Sequence, residues 1–164
     1  MIIYTSLATL LGGVILLVVS ELIKVMIIFP VQKTKEQTQI ALSRVDFHSN
    51  YLTNFFPAEP SDEVLAVIRS IKKDLREAAT SLKSVYTTVP MKRLQSFLRI
   101  MPSQERIELA VSGLIYLHNS ILFEDKRDYI ANSIQININW ISRIRAALTG
   151  NTIPEATPII ETKD

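Results

Sequence analysis

The side chains able to carry acid-base or nucleophilic chemistry are few in this chain. Histidine, the usual general base, occurs only at His48 and His118. Both fall on apolar helical stripes, where a histidine is expected to be a satisfied core residue. They stand far apart, neither begins a His-x-x-x-His pair, and there is no cysteine, so no zinc-ligand spacing or thiol nucleophile is present. Glu124, Asp125 and Asp128 could gather around a divalent cation, but they adjoin Lys126 and Arg127 and lack the residue order of a calcium loop. Ser112, Asn119 and Ser120 near His118 could form a polar patch on one helix, but bonding locally to backbone is the favoured reading. The four glycines, Gly12, Gly13, Gly113 and Gly150, are too scattered to build a phosphate-cradling loop. The pattern therefore implies no enzyme and no cofactor.

Two groups of residues suggest association instead. Thr5, Ala8, Thr9, Gly12 and Gly13 cluster on one side of an apolar helix, and Ala8 to Gly12 and Thr9 to Gly13 have the small-xxx-small spacing that lets two membrane helices approach closely. In Pro90 to Met101, a helix would put Met91, Leu94, Leu98 and Met101 together, with Lys92, Arg93 and Arg99 elsewhere and no acidic residue. Its simplest placement packs the apolar face on the rest of the domain and leaves the cations in water. The alternative sets Lys92, Arg93 and Arg99 against an anionic membrane surface.

The elements that must position these groups begin with Ile2 to Ser20, nineteen residues without a charge, eleven of them Ile, Leu or Val. At about 1.5 Å per residue this run matches a hydrocarbon core roughly 30 Å thick. It departs from a cleaved signal, because no basic residue precedes it and no Ala-x-Ala-like site follows, so retention as an anchor is expected. Lys24, Lys33, Lys35 and Arg44 all follow the run, which by the positive-inside rule puts the N-terminus outside and the rest in the cytoplasm, at the cell (inner) membrane. Glu21 and Lys24, three apart, are expected to pair near the headgroups. Pro30 disfavours helical geometry at Phe29, so a bend is expected there, with a new helix starting at Pro30.

Beyond it, helices are expected over 30–56 (Ile40, Ala41, Val45, His48, Leu52, Phe55), from Ser61 as N-cap to Val85, over 91–101, from Ser103 as N-cap through Ile121, and from a turn at Glu124 to Arg127 up to a Gly150 stop. Alternation from Ile134 to Ile138 also suits a strand, but the isoleucine stripe runs on too far for one. The predicted fold is all-α: a transmembrane helix with its juxtamembrane extension (1–29), a helical bundle of about five helices (30–150) and a disordered tail (151–164).

With 18 Lys and Arg against 16 Asp and Glu the charge is near balance, which implies no nucleic-acid partner. No small-molecule ligand is indicated. The expected partners are the lipid bilayer and either a second copy or another membrane protein. The leading functional reading is a single-pass membrane protein acting by binding, as adaptor, assembly subunit or regulator of a membrane complex. Its first rival is a membrane-sensing or bilayer-active effector that oligomerises through its transmembrane helix. The second is a tethered enzyme with a site of unrecognised type.

Overall fold

The computed structural model describes residues 2–54, 56–57, 59–121 and 127–155, with the side chains of 2–8 and 127–131 outside that description. The elements are α1 (Ile2–Ile23), a π-helical segment (Lys24–Ile28), α2 (Phe29–Leu52), α3 (Asp62–Thr88), α4 (Lys92–Phe97), α5 (Gln104–Asn119) and α6 (Arg127–Thr149). The fold is all-α, and no helix-length stretch among the described residues forms a strand. The isoleucine-rich segment is helical, in keeping with its long stripe.

α2, α3, α5 and α6 form an up-down-up-down bundle. Cross-contacts run antiparallel around it, with Arg44 opposite Glu77, His118 opposite Lys72, Ser120 opposite Asn137 and Asp46 opposite Arg145. Val45, Ile71, Leu75, Leu82, Leu114 and Ile144 are fully buried at the centre. Ser61 and Ser103 cap α3 and α5 as their positions imply, each accepting from the N–H three residues on, and Gly150 ends α6 at φ 84°. Glu124 to Lys126 and Phe55 lie outside the described residues, as does the tail from 156 on. Its first residues dock on the bundle: the Asn151 carbonyl accepts from Arg106 and Ile153 packs on the core.

The expected break at Pro30 does not occur. α1, the π-segment and α2 run on as one helix, and Phe29 keeps helical geometry at φ −62°, ψ −46°. In α-helical register the residue-30 N–H would bond the Met26 carbonyl, and proline has none. The side-chain amide of Gln95 supplies the missing donor, 3.0 Å from the Met26 oxygen, while also bonding the Pro90 carbonyl at 2.9 Å. The π-segment just ahead of Pro30 absorbs the remaining register change. A local breaker is thus repaired from α4, far away in sequence.

The described part of α1 is largely exposed, while its extension touches the bundle through Ile27, which packs on the core, and the Met26 carbonyl. The helix is long and apolar enough to cross a membrane by length and composition, and only 6% of its most apolar window is buried. Glu21 and Lys24 pair at 2.7 Å with both side chains about half exposed.

Candidate functional site

Both histidines tie helices together. His48 donates from Nε2 to Asp74 Oδ2 at 2.9 Å, joining α2 to α3 beside the Arg44 to Glu77 ion pair of 3.2 Å. His118 must donate from Nδ1 to the Lys72 carbonyl at 2.8 Å, since that oxygen only accepts, and so joins α5 to α3. Ser120 does more than bond locally: its hydroxyl also donates to Asn137 Oδ1 at 2.9 Å. Of the three acidic candidates, Glu124 and Asp125 lie outside the described residues and so does the Asp128 side chain. Among the described residues no group of three or more His, Asp or Glu could hold a metal ion.

The small-residue side of α1 is uncovered where it is described. Thr5 and Ala8 have no described side chains, while Gly12 and Gly13 would offer a Cβ open space, with nothing within 4 Å.

α4 reverses the simpler expectation for its segment. Met101 is buried, but Met91, Leu94, Leu98 and Ile100 are exposed and Phe97 is 83% exposed, whereas the polar Gln95 is 1% exposed. The reason is the Met26 carbonyl: the residue that meets the bundle must donate a hydrogen bond, so Gln95 faces inward and turns its apolar neighbours out. The α-helical part is also shorter than the predicted 91–101. It is bounded by two left-handed residues, Met91 (φ 51°) and Arg99 (φ 57°), and closes with the Ile100 N–H bonding the Gln95 carbonyl. Arg93 and Arg99 are exposed, and the Lys92 ammonium lies 5.7 Å over the Tyr86 ring.

A groove of about 640 Å³ runs along the outer seam of α3 and α5. Buried Ala79 and Val111 form its floor together with Ile115, which is 47% exposed, and Arg76 and Lys83 stand on its α3 side. It continues into a smaller hollow of about 280 Å³ toward Tyr86, Lys92 and Glu108, with Lys83, Thr87, Val111 and Ile115 common to both. Helical spacing does not separate half-exposed Ile115 from its buried neighbours Val111 and Leu114, so the groove is not legible in it. Its signal is weak, because the two walls come from helices separated in sequence.

At the end of this groove Tyr86 is buried and donates from its hydroxyl to the Pro102 carbonyl at 3.4 Å. Burial raises its pKa above the usual value of 10.0, and the negative charge of Glu108 raises it further. The folded state therefore holds the phenol proton more tightly than the unfolded chain. The stability this contributes is complete below pH of about 10 and is lost as pH rises from there through the raised folded-state pKa. Tyr86→Phe is expected to flatten the alkaline limb of a Tm-against-pH profile; superimposable limbs would remove Tyr86 as its source.

In comparisons with known proteins, no family model matches the chain, and no match was found among curated proteins or solved structures.

Proposed function

We propose that the chain is a single-pass membrane protein that acts by binding, with its bundle offering the α3–α5 groove to an acidic, amphipathic helix of another component of a membrane complex. The observation that carries this reading is the groove itself, an apolar floor with half-exposed Ile115 flanked by the cations of Arg76 and Lys83. Helix-in-groove recognition needs this pairing of an apolar trough and a charged edge. The exposed apolar surface of α1 supports the anchor, and Lys24, Lys33, Lys35 and Arg44 beyond it favour a cytoplasmic bundle with the N-terminus outside the cell membrane. The protein then acts as adaptor or assembly subunit.

The test places a photo-activatable residue at position 115 of the full chain in its native membranes. A discrete adduct with an acidic helical protein is expected, and its yield should fall in a Lys83→Glu, Arg76→Glu background that keeps the same thermal stability. No adduct, or an adduct insensitive to charge reversal, would overturn the reading. The rival, self-association through α1, is favoured only by the open face at Gly12 and Gly13.

A further inference from the structure

The exposed residues of 91–100 form a second apolar surface, separate from the groove. Five large apolar side chains, Met91, Leu94, Phe97, Leu98 and Ile100, are exposed within ten positions. Scattered single apolar residues on a surface need no explanation, but a contiguous group does. Their position is fixed by the two hydrogen bonds of Gln95, which tie α4 to Met26, four residues before Pro30 and within the apolar end of the long helix. Val25, Ile28 and Phe29 are exposed at the same level. Gln95 thus holds α4, with its exposed apolar side chains, beside the apolar end of the long helix.

We propose that 91–100 docks on the headgroup region of the bilayer that holds α1, with Phe97 and Leu94 at the acyl boundary and Lys92, Arg93 and Arg99 against anionic lipid phosphates. A segment with exposed apolar residues and three cations but no acid has the composition of an interfacial helix. The occupant is a lipid surface rather than a protein, because α4 is pinned to the place where the anchor leaves the apolar layer, where headgroups are the first matter it meets. Charge complementarity selects an anionic leaflet. In this arrangement the bundle is held at two points, by the anchor and by α4, instead of pivoting on the anchor alone. The inference rests on α1 being a membrane anchor.

The chain contains no cysteine, so single cysteines can be introduced without removing any. In the full chain reconstituted into phosphatidylcholine vesicles containing phosphatidylglycerol, an environment-sensitive fluorophore is placed at Phe97→Cys, Leu94→Cys, Leu16→Cys or Phe47→Cys. These four native side chains are all exposed, so the labels disturb little packing. Labels at 94 and 97 should shift to the blue and be quenched by nitroxides on the lipid acyl chains, as the label at 16 is, while the label at 47 stays water-like. Converting Lys92, Arg93 and Arg99 together to Gln should shift the docked-to-free equilibrium toward free by roughly a hundredfold on these anionic vesicles. Water-like, unquenched labels at 94 and 97 beside a quenched label at 16 would overturn the inference and leave the anchor standing. An unquenched label at 16 would overturn both.

Discussion

Asn137→Leu is expected to destabilise the bundle by on the order of 3 kcal/mol, although the two side chains are similar in size. Asn137 is 0% exposed, and its amide closes the end of the bundle remote from α4. Nδ2 donates to the Leu52 carbonyl at 2.8 Å and to the Ser120 carbonyl at 3.3 Å, and Oδ1 accepts from the Ser120 hydroxyl at 2.9 Å. The first carbonyl belongs to the end of α2 and the second to the end of α5, where helices run out of internal donors. Leucine fills the space but leaves both oxygens without these partners in an apolar setting, and that loss of hydrogen bonding sets the size of the effect. Asn137→Asp, which keeps the shape but donates nothing and adds a buried charge, should be at least as harmful. Trp140, one turn away and the only tryptophan, reports unfolding by its fluorescence in urea. A midpoint for Asn137→Leu within error of wild type would show that the carbonyls find other donors.

Gly113→Val should have an effect of similar size through a different cause. A Cβ at position 113 would lie 2.7 Å from Ile144 Cγ1, 2.9 Å from Ile144 Cδ1 and 2.9 Å from Trp140 Cε3. Gly113 lets α5 and α6 approach this closely, and the Trp140 ring is held by stacking on Tyr116 at 5.5 Å, with the Arg143 guanidinium 4.9 Å from its own centroid. Overpacking a core costs about 1–3 kcal/mol, so the branched valine belongs at the upper end. Gly113→Ala recovers up to about 1 kcal/mol in helix propensity and should cost less. A double-mutant cycle isolates the clash. In an Ile144→Ala background, Gly113→Ala should lose most of its penalty, since both short contacts to Ile144 are gone. An unchanged penalty there would assign the effect to Trp140 instead.

The parts of the fold legible in the sequence are those set by local rules. Of the α3 stripe Val64, Val67, Ile68, Ile71, Leu75, Ala78, Leu82 and Val85, spaced for one helical face, five are buried, Val64 and Val85 are half-buried and only Val67 is exposed. Ser61 and Ser103 cap because a hydroxyl there meets an unpaired N–H whatever the tertiary context. Pro30 followed its local rule on paper and escaped it in the fold, because Gln95 carries a donor to Met26 from a distant helix. Gln95 and Asn137 are polar residues that no local motif marks, and only the carbonyls they meet reveal them as structural. Periodicity grouped Met91, Leu94, Leu98 and Met101 on one side, but the helix ends at Phe97, and of the four only Met101 is buried. The groove at Ile115 was hidden for the same reason: spacing identifies a stripe, and its outer edge is uncovered only once α3 and α5 are set side by side.

The unbroken helix from Ile2 to Leu52 gives the molecule a shaft of roughly 75 Å at about 1.5 Å per residue. A flexible tether would let the bundle sample a hemisphere of directions, whereas a shaft transmits rotation. Turning it by one residue's step, about 100°, carries the bundle through the same angle. The compass direction of the α3–α5 groove is therefore dictated by whatever grips the far end of the shaft, so a neighbour that binds one side of α1 also decides which way the bundle looks.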